Sequence, residues 1–225
     1  MTKPIETTAD ESLPLILDDD RLRLIQQQRI MLVLDVGANE GQYATQLRLG
    51  GYSGDILSFE PLPDAYASLE VAAQRDPGWR TRNTAAGNTN GVATINVSAN
   101  SYSSSLLPIT PACVDAAPDA AYRGTEQIRI ETLDSLDLPH VPILLKADVQ
   151  GTEPDVLRGA SGLLARVALV GVGLSLIPLY TDQLLAHEVC ALARGFGFVP
   201  VAVGNPFRHP RTGEILSLDA IFQHV

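Results

Sequence analysis

Three short stretches of the chain bring together residue types that could do chemistry. The first is Asp35-Val36-Gly37-Ala38-Asn39-Glu40-Gly41, which closes an apolar run and opens a helix-like segment. Glycines at such a corner let the backbone turn tightly and approach a ligand, with the N-terminus of the following helix aimed at it. The same spacing also serves an ordinary strand-turn-helix corner. A dinucleotide fingerprint would read GxGxxG, and this loop does not, which weighs against a nucleotide-dependent oxidoreductase. The second stretch is Ser58-Phe59-Glu60-Pro61, where Glu60 ends the next strand-like run. A carboxylate there can accept from both hydroxyls of a ribose. A Glu at a strand end is common by itself, but the pair of signals points to a nucleotide-linked cofactor.

The third stretch, Lys146-Ala147-Asp148-Val149-Gln150-Gly151-Thr152-Glu153, ends a later buried run. Ligands of open α/β sheets bind beyond the carboxyl ends of the strands, so Asp148 is expected to face the crevice. It could orient a substrate hydroxyl, accept its proton or hold a divalent cation. Lys146 reads equally as a salt-bridged lysine at the core edge or as a catalytic group. Glu153 opens a helix, where a carboxylate favours the dipole, and a metal role stands beside that reading.

The elements that must position these groups alternate. Apolar runs at Met31 to Val36, Ile56 to Phe59, Ile143 to Val149 and Val167 to Leu176 read as strands buried on both faces. Trp79 to Thr84, Val92 to Val97, Val199 to Val203 and Ile215 to Phe222 read as further strands. Helical periodicity predicts helices over Gly41 to Leu49, Pro63 to Gln74, Glu153 to Leu164 and Thr181 to Arg194. Asn100 to Gly124 is rich in Ser, Pro and Ala and reads as a long loop with short helical pieces. The fold class is therefore α/β, a Rossmann-like, mostly parallel twisted sheet with helices on both faces and an antiparallel closing strand. Residues 1–28 read as a leader and covering helix, and residues 29–225 as one domain.

Composition bounds the function. The 225 residues include 16 Lys plus Arg against 26 Asp plus Glu, for a net charge of -10, with 45% hydrophobic residues. That is a folded chain rather than a disordered one, and its acidity argues against a nucleic-acid scaffold. Cys113 and Cys190 lie far apart in no metal-type spacing, as in a reduced interior. No stretch approaches the ~20 apolar residues of a membrane span, and no basic segment leads into a signal-type apolar run. A soluble, cytoplasmic protein is expected, with no membrane or nucleic-acid partner; a homodimer is compatible with the chain.

DVGANEGQYATQLR, SFEPLPDAY, AAGNTNG, SYSSSLLP, LKADVQGTEPDVLRGA, SLIPLYTDQ and the closing D-A-I-F together resemble the FkbM family of methyltransferases, from about Leu32 to Phe222. The loop spacing D-x-G-x-N-x-G is similar to that of class I S-adenosylmethionine-dependent methyltransferases. The resemblance implies such a fold, S-adenosylmethionine as cofactor, and transfer of a methyl group to a hydroxyl oxygen of a sugar, polyketide or similar small molecule or oligosaccharide. Among its members, sugar O-methyltransferases of bacterial polysaccharide biosynthesis are the most similar. It places the cofactor loop on Asp35, Gly37, Asn39 and Gly41, the ribose ligand on Glu60, and a cofactor or substrate role on Ser104 within Ser103 to Ser105. Asp148 is then the leading catalytic residue and also borders the cofactor, with Lys146 beside it and Tyr180 in support. A divalent cation such as magnesium would fall to Asp148 and Glu153.

Gly173 departs from the family, which usually shows a Glu there. It removes an expected second carboxylate, so either a metal site uses other residues or activity is impaired, and a catalytically impaired protein that binds cofactor or a partner without turnover is the alternative. On this reading a Glu restored at 173 raises methyl transfer. His209, among Arg208, Pro210 and Arg211, could border an acceptor site.

Overall fold

The computed structural model describes residues 19–225. Helix α1 (Asp19–Gln27) precedes β1 (Leu32–Val36), α2 (Gln42–Leu49), β2 (Asp55–Phe59), α3 (Pro63–Ala73) and β3 (Trp79–Arg82). A side sheet follows from β4 (Ala85–Ala86), β5 (Gly91–Ser98) and β6 (Tyr122–Glu131), with α4 (Pro111–Ala116) between the last two. The chain returns to the main sheet through β7 (Ile143–Ala147), α5 (Glu153–Arg158), β8 (Val167–Ser175), α6 (Ala186–Gly195), β9 (Phe198–Arg208) and β10 (Ile215–His224).

The main sheet has seven strands in the order β3-β2-β1-β7-β8-β10-β9. Pairs from β3 to β8 are parallel, and only β10 runs against its neighbours β8 and β9. This is the expected α/β architecture with its antiparallel closing strand. The apolar runs are strands because both faces are covered. Leu32 and Leu34 pack with Val156, Leu157, Val189 and Ala193 of α5 and α6. Val33 and Leu144 pack on the other face with Leu24, Ile25, Ala44, Leu47 and Leu69 of α1, α2 and α3. Leu34 is fully buried, so truncating it to Ala would cost ~2–5 kcal/mol.

The chain leaves β1 for α2 on one face and β7 for α5 on the other. Adjacent parallel strands whose connections diverge open a crevice beyond their carboxyl ends. The glycine loop and the Asp148 loop both end there.

Several elements differ from expectation. Strand β6 lies partly in the segment read as loop, because six of its ten residues are exposed and it shows no buried alternation. The helix expected to Leu164 stops at Arg158: a Cβ on Gly159 would sit 1.8 Å from the Gly87 carbonyl oxygen, so two backbones meet there. The helix expected from Thr181 starts at Ala186, since the Gln183 side chain accepts from the Leu179 and Tyr180 amides and holds a turn instead. Of the expected covering helix, the Leu13 to Leu17 portion lies outside the described residues, as does the leader.

Candidate active site

Gly37 follows β1 with φ +73°, and a Cβ built on it would fall 1.9 Å from the Asp148 carbonyl oxygen. Only glycine lets these two loops touch. The Asp148 amide donates to the Val36 carbonyl at 3.0 Å, and the Gly37 and Ala38 amides donate to Phe59 O at 3.1 and 3.0 Å. Three strand ends are thereby fixed to one another. Asn39, at φ +50°, donates its amide to Glu60 Oε2 at 2.9 Å and its side-chain Nδ2 to Ser101 O at 2.6 Å. That second bond closes the long loop over the crevice. Gly41 serves packing instead: a Cβ there would sit 2.8 Å from the Trp79 ring.

Glu60 is 6% exposed. Its Oε1 accepts from the Leu62 amide at 2.9 Å, opposite the Asn39 bond to Oε2. Burial raises its pKa, and the two backbone donors and Lys146 act against that. A carboxylate offers about four acceptor sites, so lone pairs remain for a vicinal diol. The slot in front of it is walled by Leu62, Ile95, Leu106 and Ile128, with Ser104 on its rim. Ser104 Oγ accepts from the Ser98 amide at 3.1 Å, which orders the serine stretch. An apolar slot with one carboxylate at its end suits a base and its ribose.

Asp35 and Lys146, adjacent in the β1–β7 register, form an ion pair at 3.1 Å. Asp35 is fully buried, also accepts from Ser58 Oγ at 3.1 Å, and lines neither cleft; its work is to hold the loop from behind. Lys146 Nζ donates to Gly37 O at 2.9 Å. Burial works against its charge, but the Asp35 and Asp148 carboxylates outweigh that and keep its pKa above the ordinary value. Lys146 is therefore an ion-paired cation in the cleft wall, beside Asp148.

Asp148 is exposed at the crevice and its orientation is set from behind. Gln150 Nε2 donates to Asp148 Oδ1 at 2.8 Å, and Gln150 Oε1 accepts from Tyr180 Oη at 2.7 Å. Tyr180 is 2% exposed, and burial raises its pKa, so it stays a donor. Asp148 Oδ2 makes no hydrogen bond among the described residues. Glu153 points elsewhere. Its Oε1 accepts from the Val149 and Gly151 amides, and its Oε2 from Gly151. Burial pushes its pKa up to about 7. Glu153 is buried and lines neither cleft, so the Asp148–Glu153 pair does not fit a divalent cation. Among the described residues no group of three or more His, Cys, Asp and Glu could hold one.

A second cleft, about 480 Å³, meets the Glu60 slot. Gly37, Asn39, Tyr102 and Asp148 line both. The second cleft is bounded by Arg21, Tyr43, Lys146 and Asp219, with Gly171 and Gly173 on its floor. Asp219 opens the closing D-A-I-F stretch, which carried the resemblance but no site assignment, and its other sequence signal is a charge interrupting the apolar strand Ile215 to Phe222. His209 lies away from both clefts; it and Arg211 bind Asp115, at 3.0 and 2.6 Å, and tie the β9–β10 hairpin to α4.

The model of the Methyltransferase FkbM domain matches residues 35–200. Hexuronic acid methyltransferase AglP of Haloferax volcanii is 26% identical over 190 residues, covering 80% of this chain and 73% of that protein. Magnesium protoporphyrin IX methyltransferase of Synechocystis, solved with bound cofactor, superposes with a TM-score of 0.52 at 11% identity over 91% of this chain and 76% of its own. An S-adenosylmethionine-dependent methyltransferase of Methanosarcina mazei gives 0.50 at 12% identity over 93% and 98%. The sheet order, the loops that meet at Gly37 and Asp148 and the matched span agree: this chain belongs to the FkbM methyltransferase family and has the class I S-adenosylmethionine-dependent methyltransferase fold.

Proposed function

We propose that this protein is an S-adenosylmethionine-dependent O-methyltransferase that methylates a hydroxyl of a sugar or similar natural product, of the kind built into polysaccharides. The observation that carries this is the shared boundary of the two clefts, where Asp148 belongs to both and keeps one oxygen free. Glu60, Asn39, Gly37 and Ser104 would hold the cofactor, whose contribution is a methyl group already activated on a cationic sulfonium. The chain must then align the acceptor oxygen and remove its proton. Asp148 Oδ2 accepts the hydroxyl's hydrogen bond and takes its proton, while Gln150 and Tyr180 hold the other oxygen. Asn39 and Tyr102 stand at the junction of the two clefts.

The name of the Haloferax relative, a methyltransferase of an acidic sugar, supports a small-molecule or oligosaccharide acceptor. No helix among the described residues is long and apolar enough to cross a membrane, and the net charge of -10 disfavours nucleic acid. We read the protein as cytoplasmic, working without a metal because Glu153 is committed to its own loop. The test is methyl transfer from labelled S-adenosylmethionine to a panel of hydroxylated sugars. Asp148→Asn should lower turnover on the order of a hundredfold and leave cofactor affinity nearly unchanged. Cofactor binding with no turnover on any sugar would instead mark a protein that binds without catalysis.

A further inference from the structure

The face of β8 that turns to the second cleft has lost its side chains. Along a strand, alternate residues share a face, and on this one Leu169 is followed by Gly171 and Gly173. Glycine inside a strand weakens it, and is kept where another backbone or a ligand comes close. The fold does not demand these two. A Cβ at Gly173 would meet nothing within 4 Å, and one at Gly171 only Lys146 Cα at 4.0 Å. By contrast, Gly37, Gly41 and Gly159 would each collide with protein atoms below 3 Å. Gly171 and Gly173 thus make a bare floor with open space above it.

The floor has walls. Gly173 pairs directly with Asp219 of β10. On its other side, Ala147 pairs with Val172, so the next step along brings Asp148 beside Gly173. Asp148, Gly173 and Asp219 form one row over three adjacent strands, with the two carboxyl-bearing residues about 9–10 Å apart by strand spacing. Asp219 Oδ2 accepts from Asn205 Nδ2 at 3.0 Å, while Oδ1 makes no hydrogen bond among the described residues. The gap suits a saturated ring with a hydroxyl toward each carboxylate. Arg21, Lys146 and Tyr43 are the other charged or titratable groups that face it.

We propose that Asp219 is a specificity-determining residue that anchors a second hydroxyl of a polyhydroxylated ring lying on Gly171 and Gly173, while Asp148 addresses the hydroxyl to be methylated. This rests on the methyl-transfer reading above and names the acceptor class it requires: a ring with at least two hydroxyls, not a lone alcohol or phenol. The missing carboxylate at 173 is then no defect. It leaves room for the ring, and its neighbour across the ladder supplies the acid.

The experiment uses the full chain, labelled S-adenosylmethionine and a set of p-nitrophenyl hexopyranosides and hexuronides. On an accepted sugar, Asp219→Ala should raise the acceptor KM about tenfold or more, the loss of one hydrogen bond to a charged group, with kcat and cofactor affinity little changed. Asp219→Asn should fall between. Gly173→Val, which suits a strand, should melt no lower than wild type yet raise the same KM by covering the floor. Unchanged acceptor KM in Asp219→Ala and Gly173→Val, or cofactor affinity falling in step with it, overturns the assignment while methyl transfer to sugars stands. Failure of the wild type to methylate any member of the set defeats the sugar reading itself, and this inference with it.

Discussion

Tyr180 donates its hydroxyl hydrogen bond to the side-chain oxygen of Gln150 at 2.7 Å, and so decides which way that amide points. With its oxygen held, Gln150 must present its nitrogen to Asp148 Oδ1. A buried tyrosine thirty-two positions downstream in sequence from Asp148 thus sets the direction of that carboxylate without touching it.

Tyr180→Phe removes that donor and frees the amide to turn. With a hydrogen bond worth ~0.5–1.5 kcal/mol, kcat should fall roughly 3- to 10-fold while cofactor affinity by calorimetry stays constant. An unchanged kcat would mean that Gln150 is oriented by something else.

Glu60→Ala acts at the other end of the site. It removes the acceptor for a ribose diol and should weaken S-adenosylmethionine binding by ~1–3 kcal/mol. It also strips the Asn39 and Leu62 amides of their partner, so the melting temperature should drop as well. Full affinity in a folded variant would take Glu60 out of the cofactor slot.

Glu153 gives the fold a pH dependence of definite sign. Its pKa rises to about 7 in the folded protein, so between the ordinary Glu value and about 7 the folded state holds more proton than the unfolded one. Stability should therefore fall as pH rises through that window, by on the order of 1–3 kcal/mol, and level off above it. Glu153→Gln should lose this slope in denaturant titrations from pH 5 to 8. A wild type whose contribution from this group grows with pH would show that the loop amides dominate over burial.

Gly173→Glu separates the family comparison from the geometry. Sequence resemblance predicts faster methyl transfer for this variant. In the fold, the new carboxylate would stand over the floor directly across from Asp219 and one strand from Asp148. Like charges so placed repel and raise one another's pKa. The expected result is turnover at least about tenfold lower on any accepted sugar, the same with chelator as without, because the row already holds two carboxylates. Faster turnover that depends on added magnesium would restore the metal reading.

The architecture was legible because the groups that define it are local. Leu32 to Leu34 form an unbroken apolar run, which only a strand covered on both faces can use, and the glycine spacing after it belongs to a single turn. Glu60 and Asp148 stand at strand ends, and position within a parallel sheet puts such residues at one edge. The tertiary structure decided what register and burial decide. Lys146 became a fixed cation because Asp35 lies next to it across the ladder, and Glu153 turned inward because the Val149 and Gly151 amides needed an acceptor. Asp219, far along the chain from Asp148, joined the site because β10 enters the sheet antiparallel beside β8. Pairing across strands is a long-range choice that no local spacing records, and at Gly173 it turned an apparent missing ligand into open space facing an acid.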